Sequence, residues 1–140
     1  MVNNAGIGWT YGANEIMDTN VYGVKRMTEA FIPLLDATSG RIVNLGSGAG
    51  PMFVKKQDEA AITFLSTQSV TWAELEKYMK ETIAENPENF PYGLSKAILH
   101  KLTELNAKEH PNLTISVVSP GYVKTDMTGN KGGISPEQGA

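Results

Sequence analysis

Three short apolar runs, each ending in small residues that favour turns, most strongly constrain how this chain can fold. They end at Asn4-Ala5-Gly6, Gly46-Ser47-Gly48 and Ser119-Pro120-Gly121. Helical patterns separate the runs, and strands joined by helices pair in parallel through right-handed crossovers. The sequence therefore predicts an α/β fold in which the three strand ends share one edge of a parallel sheet. Ligands bind at that edge in open α/β sheets.

A first helix is predicted between the first two strands, from apolar residues that recur every three or four positions. These residues are Val21, Val24, Met27, Phe31 and Leu34. Asp18 or Thr19 is the predicted N-cap, and Pro33 is expected to bend or shorten the last turn.

Residues 51–90 are predicted to form a helical insertion between the second strand and a long final helix. Thr71 and Glu74 fit a capping box, and Asn86-Pro87 ends the helix that this box starts. The long helix begins near Tyr92. Its apolar stripe comprises Leu94, Ile98, Leu102 and Leu105.

Composition excludes several kinds of site and partner. The 140 residues include no cysteine, which excludes disulfides, thiolate metal sites and cysteine nucleophiles. Carboxylates are not clustered with histidine, so no metal site is predicted. A net charge of −3 argues against nucleic-acid binding. No apolar run approaches the ~20 residues of a membrane span and no signal peptide is visible, so a cytoplasmic protein without membrane contact is expected.

The stretch FPYGLSKAILHKL places Tyr92 and Lys96 four residues apart on a helix. Such residues are neighbours on one face, and a lysine ammonium there stabilises tyrosinate. Tyrosine needs this help to move protons at neutral pH, because its reference pKa is about 10. The spacing alone is not specific, since an aromatic–lysine contact on a helix surface has the same pattern. Ser47 and Asn20, taken singly, are equally typical of a turn and of a routine polar position.

The order of the motifs gives them specificity, because each lies in a separate element that faces one sheet edge. In chain order they are Asn3-Asn4-Ala5-Gly6, Asn20, Ser47, Tyr92 with Lys96, and Pro120-Gly121. This order closely resembles the short-chain dehydrogenase/reductase family. The resemblance covers nearly the whole chain outside residues 51–90. It implies part of a doubly wound, Rossmann-type parallel sheet.

By this resemblance the catalytic residues are Asn20, Ser47, Tyr92 and Lys96. Ser47 is expected to bind the substrate carbonyl oxygen and Tyr92 to donate its proton. Lys96 is expected to assist Tyr92 and to bind the nicotinamide ribose. Asn20 is expected to hold a water that links Lys96 to solvent. Gly46 stands where many members have another serine.

The resemblance also implies a nicotinamide cofactor. Its binding residues are expected to be Asn4, Ala5, Gly6, Tyr92, Lys96, Pro120, Gly121, Val123 and Thr125. The insertion and the tail TDMTGNKGGISPEQGA resemble the carbonyl reductase branch. That branch is NADPH-dependent and often monomeric, because a comparable insertion covers the surface that other members use to oligomerise. NADP(H) and a monomer are therefore expected, while an NAD(H)-dependent alcohol oxidiser of the same family is not excluded.

The family's glycine-rich turn, which binds the cofactor pyrophosphate, does not precede Asn3 in this sequence. The resemblance implies that the first three strands and the last strand lie outside the chain. Residues 1–140 are thus expected to be a single partial Rossmann-type domain, the catalytic half of an oxidoreductase acting on a ketone, aldehyde or alcohol. The alternative is a catalytically inactive fragment that binds a partner through its open sheet edge.

Overall fold

The three predicted strands form one parallel sheet. The computed structural model describes residues 1–140. The strands are β1 (Val2–Asn3), β2 (Arg41–Leu45) and β3 (Thr114–Val118), in the order β1-β2-β3. Val43 lies opposite Val2 on one side and Ser116 on the other. The predicted α/β fold with a parallel sheet is confirmed.

Seven α-helices accompany the sheet. They are α1 (Ala13–Met17), α2 (Val24–Phe31), α3 (Ala49–Val54), α4 (Glu59–Ser66), α5 (Trp72–Glu85), α6 (Pro91–Glu109) and α7 (Pro136–Gly139). A π-helical turn, Asp18–Gly23, joins α1 to α2, and 3₁₀ turns cover Ile32–Leu34 and Asp126–Thr128. The predicted helical insertion consists of α3, α4 and α5. None of the helices combines the length and the apolar character needed to cross a membrane.

The first helix begins earlier than the sequence predicts. Its N-cap is Gly12, not Asp18 or Thr19, and the Glu15 carboxylate accepts a hydrogen bond from the Gly12 N–H (3.0 Å). Asp18 instead lies inside the helical run, where its carboxylate accepts from Arg26. The prediction was wrong because Glu15 satisfies an amide at the helix start, so no Ser, Thr or Asp cap is needed there.

Only the first half of the predicted apolar stripe on this helix is buried. Val21 and Val24 lie in the core. The other members are exposed: Met27 by 46%, Phe31 by 41% and Leu34 by 75%. α2 ends at Phe31 and Pro33 lies in the 3₁₀ turn that follows, as predicted. Helical spacing identified the apolar face but not how much of it packs in this chain.

The core lies between α1, the π turn, the insertion and α6. Leu75 and Met79 of α5 are buried in the same hydrophobic cluster as Leu94 of α6. Thr71 and Glu74 form the predicted capping box, in which each backbone N–H donates to the other side chain. The cap sets where α5 begins and so which of its residues face α6.

A chain of buried hydrogen bonds fixes β1 and β2 against the helices. Asn44 Nδ2 donates to Thr103 Oγ1 (2.9 Å), and Asn44 Oδ1 accepts from Asn3 Nδ2 (2.8 Å). Asn3 Nδ2 also lies 3.3 Å from Thr28 Oγ1. All four side chains are buried, so these bonds replace the water that the groups would otherwise need.

Replacing Asn44 with alanine is expected to lower the free energy of unfolding by about 1–3 kcal/mol, because it leaves buried partners without hydrogen bonds. Asn4→Ala is the matched control, since Asn4 is exposed; its effect is expected to stay within about 0.5 kcal/mol. Urea unfolding at neutral pH measures both variants. Equal stability of the two would contradict the importance of the buried network.

Candidate active site

The start of α6 sets the position of Tyr92. Pro91 is the first helical residue, and Phe90 before it has a φ of 53°, in the left-handed region. The Phe90 ring folds over Gly93, where a Cβ would lie only 2.4 Å from the ring. This conformation is uncommon for a bulky residue and persists only where the surrounding structure holds it. This strained start of α6 therefore fixes the position of Tyr92 and of the following helical turn relative to the sheet edge.

Lys96 lies one turn after Tyr92 and is anchored to the sheet. Its Nζ is 5.7 Å from the centroid of the Tyr92 ring, and it donates to the carbonyl of Leu45 (2.7 Å) at the end of β2. An ammonium has three N–H groups, so it can donate to further ligands. Lys96 is only 5% exposed, and burial lowers the pKa of its ammonium to about 8.

Ser47 lies between two contacts to Lys96. The Leu45 carbonyl, two residues earlier, accepts from the Lys96 ammonium. Gly50, three residues later, packs on the Lys96 backbone, where a Cβ would lie 2.9 Å from the carbonyl carbon. Ser47 Oγ accepts from the Ala49 N–H (3.1 Å). The serine O–H therefore remains available to donate to an oxygen at the sheet edge.

Asn20 lies in the π-helical turn and is fully buried. Its Nδ2 donates to the Ile7 carbonyl (2.9 Å) and to Ser95 Oγ (3.1 Å), and its Oδ1 accepts from the Ile7 N–H (2.9 Å). Both amide hydrogens are thus used, and the side chain retains only acceptor capacity. Turns of π-helix are rare and occur frequently at functional sites.

Gly6 brings Asn20 and Lys96 to one small space. A Cβ at Gly6 would lie 3.3 Å from Asn20 Oδ1 and 3.7 Å from Lys96 Nζ. An acceptor and a cationic donor therefore face the same point after β1. Asn4 and Ala5, the other residues predicted to contact the cofactor here, are exposed beside this point.

The loop after β1 contributes a site residue that sequence reasoning missed. Trp9 meets Tyr92 edge-on, with ring centroids 5.7 Å apart and ring planes at 84°. Trp9 is 55% exposed and lies outside any regular element, so no periodic signal marks it. The loop after β3 reaches the same region, because Met127 Cγ lies 3.0 Å from the position of a Gly8 Cβ.

The predicted cofactor segment after β3 lies at the same edge of the sheet. It contains Pro120, Gly121, Val123 and Thr125. The Gly46 N–H donates to the Val118 carbonyl (2.7 Å), which keeps the ends of β2 and β3 together. Gly121 has a φ of 88°, a conformation that glycine adopts without steric cost. The turn at Gly121 therefore directs the chain from β3 into this segment.

A histidine and a valine occupy the space that a side chain at Gly46 would need. A Cβ on Gly46 would lie 2.6 Å from His100 Nε2 and 2.5 Å from Val117 Cγ2. His100 Nε2 is buried without a hydrogen-bond partner. Burial, and secondarily the Lys96 ammonium, lowers the pKa of His100. The structure thus gives a steric reason for glycine at this position.

Known proteins share both this sequence pattern and this architecture. A sequence profile described as short chain dehydrogenase matches residues 1–61. A (+)-neomenthol dehydrogenase of Capsicum annuum is 36% identical over 138 residues, which cover 90% of this chain and 44% of that protein. The solved structure of salutaridine reductase from Papaver somniferum matches with a TM-score of 0.79 and 32% identity, covering 91% of this chain and 47% of that one. The chain is thus similar to short chain dehydrogenases, through the profile match over residues 1–61 and through relatives aligned along most of its length.

The similar proteins also include carbonyl reductases, as the sequence predicts. An NADPH carbonyl reductase of Bos taurus is 27% identical over 163 aligned positions, which cover 100% of this chain and 58% of that protein. The chain spans about half the length of the curated relatives it matches, between 44% and 58% for these two.

Proposed function

We propose that this chain supplies the catalytic half of an NADP(H)-dependent oxidoreductase that interconverts a ketone or aldehyde and the corresponding alcohol. The observation that carries the proposal is the position of Lys96, 5.7 Å from the Tyr92 ring and bonded to the strand end that leads to Ser47. The relatives are named as a dehydrogenase of neomenthol and as reductases, one of them with NADPH. NAD(H) remains the alternative cofactor.

The residues present fit the nicotinamide and its ribose. Asn20 Oδ1 and Lys96 Nζ both lie beside Gly6, and the ammonium can donate to ribose hydroxyls. The exposed Asn4-Ala5 pair precedes Gly6, and the segment 120–125 follows β3 at the same edge of the sheet. When bound, the nicotinamide supplies or accepts the hydride. The pyrophosphate is assigned to no residue of this chain.

Ser47 and Tyr92 have separate roles at the substrate oxygen. The Ser47 O–H is available because its oxygen accepts from Ala49, and it donates to the carbonyl oxygen where negative charge develops. The Tyr92 hydroxyl gives that oxygen its proton as a general acid. The Lys96 ammonium stabilises the phenolate that remains.

A water between Asn20 and Lys96 is proposed to return a proton towards Tyr92. Such a water would accept from Lys96 Nζ and donate to Asn20 Oδ1, since both atoms lie beside Gly6. Asn20 is 0% exposed and Lys96 5% exposed. Bulk water therefore has little access to these side chains. A water held between them would pass the proton from solvent towards Tyr92.

Trp9 provides a direct reporter of cofactor binding, because it touches Tyr92. NADPH is expected to quench Trp9 fluorescence saturably in the wild type and in Trp72→Phe, which leaves Trp9 as the sole tryptophan. Trp9→Phe is the matched control, in which the saturable signal is expected to be lost. NADH is titrated in parallel to decide between the two cofactors. No saturable quenching by either nucleotide would contradict the proposal.

An open sheet edge favours a second candidate, a partner-binding fragment without catalysis. β1 pairs only with β2, and Val2 is 61% exposed. An unpaired strand edge can add a strand from another chain. Absence of nucleotide binding, together with pairing of this edge in a complex, would favour this candidate over the enzyme.

We further propose that the protein is a monomer, because the insertion covers the face of α6 that a second copy would otherwise contact. Leu75 and Met79 of α5 are buried in one cluster with Leu94 and Ile98 of α6. Because α5 occupies this face, a second copy of the chain cannot pack there without displacing it.

A further inference from the structure

We infer that Ser95 is a positioning residue that holds Asn20 against the first turn of α6. Ser95 stands between Tyr92 and Lys96 in the sequence and is 0% exposed. Its hydroxyl donates to the Tyr92 carbonyl (2.8 Å), and its oxygen accepts from Asn20 Nδ2 (3.1 Å). One buried hydroxyl therefore joins the backbone of Tyr92 to the side chain of Asn20.

The direction of these hydrogen bonds follows from the groups involved. The Tyr92 carbonyl can only accept, so the single hydroxyl hydrogen of Ser95 is committed to it. Ser95 Oγ must then accept from Asn20, which requires Nδ2 to face the serine. Ile7 requires the same orientation, since its N–H donates to Asn20 Oδ1 (2.9 Å) and its carbonyl accepts from Nδ2 (2.9 Å). Two separate partners thus select one orientation of the Asn20 amide.

This orientation decides which atom of Asn20 faces Lys96. With Nδ2 held by Ser95 and Ile7, Oδ1 is the atom 3.3 Å from the Gly6 Cβ position, which Lys96 Nζ approaches to 3.7 Å. An acceptor oxygen near an ammonium is favourable, whereas a reversed amide would place N–H dipoles towards the positive charge. Ser95, together with Ile7, therefore sets the polarity of the space between Asn20 and Lys96. The effect of this polarity on catalysis rests on the proposed function. The hydrogen bonds of Ser95 and Asn20 do not depend on that proposal.

The Ser95→Ala variant removes both hydrogen bonds without adding volume. In NMR spectra of this chain, the side-chain amide hydrogens of Asn20 are expected to exchange with solvent about tenfold faster. Thr103→Val is the matched control, because Thr103 is a second buried α6 hydroxyl. It donates to the Leu99 carbonyl (2.7 Å) and accepts from Asn44 Nδ2 (2.9 Å). This control is expected to lower stability similarly and to leave the Asn20 signals unchanged.

A conservative variant and a turnover assay complete the test of the role of Ser95. Ser95→Thr keeps the hydroxyl and is expected to restore slow exchange at Asn20. In assays with NADPH and a ketone, Ser95→Ala is expected to lower kcat about tenfold with KM unchanged. Unaltered exchange at Asn20 in Ser95→Ala, equal changes in Thr103→Val, or no rescue by a folded Ser95→Thr would each overturn the inference. The exchange measurement needs no cofactor, so a failure of NADPH binding would overturn the proposed function alone.

Discussion

Replacing Tyr92 with phenylalanine is expected to lower the rate of carbonyl reduction by about 10²–10⁴-fold, the usual effect of removing a positioned general acid. The change removes only the hydroxyl, so the edge-on contact with Trp9 remains. NADPH affinity, measured by quenching of Trp9, is therefore expected to stay near its wild-type value. NADPH oxidation in the presence of a ketone measures the loss of turnover.

Tyr22 offers a matched control for this experiment. It also packs edge-on against a tryptophan, Trp72, at 5.9 Å, and has a basic residue, Arg26, four positions later. Its hydroxyl, however, donates to Glu76 (2.9 Å). Tyr22→Phe is expected to leave turnover unchanged. If Tyr92→Phe turned over near the wild-type rate, another group would have to supply the proton.

The elements with strong local signals were predictable from the sequence. The capping box of Thr71 and Glu74 and the Asn86-Pro87 stop bound α5, which spans Trp72–Glu85. Such signals act within a few residues, so they do not depend on the rest of the fold. The parallel sheet followed from the alternation of strands and helices, because connection rules leave few other arrangements.

The features that depend on distant contacts were not predictable. Spacing identified the apolar face of α2, but Phe31 and Leu34 are exposed, because periodicity does not specify what covers a face. The π-helical turn at Asp18–Gly23 contains Asn20, whose side chain bonds to Ile7 and, 75 residues away, to Ser95. No local pattern encodes a bond of that sequence separation.

In the candidate site, the reactive side chains were predictable from the sequence, whereas their tertiary contacts were not. Tyr92 and Lys96 were predicted as neighbours because helical geometry alone brings positions i and i+4 together. Leu45 contributes through its backbone carbonyl and Trp9 through a loop contact. A backbone carbonyl has no sequence signature, and loop residues have no period. Sequence therefore predicts reactive side chains more readily than the groups that position them.

Lys96 is expected to make the stability of this fold increase with pH, opposite to a lysine that gains an ion-pair partner. Burial lowers the pKa of Lys96 in the folded chain to about 8, whereas an unfolded lysine has a pKa of about 10.4. Below about pH 8 the side chain is charged in both states, so the full cost of burying the charge is present. As pH rises from about 8 to about 10.4, the folded state loses its proton first and the free energy of unfolding rises.

The size of this increase is about 3 kcal/mol, from the difference between the two pKa values. Lys96→Met removes the titrating group, so the stability of the wild type relative to this variant is expected to rise by that amount. Burial raises the pKa of Tyr22 and of Tyr78, which lowers stability with pH, but this effect is common to both proteins. Lys77→Met, at a side chain that is 74% exposed, is the control. The comparison is made by urea unfolding from about pH 7 to about pH 10.5. If the free energies of unfolding of the wild type and Lys96→Met changed in parallel with pH, Lys96 would titrate as an exposed lysine.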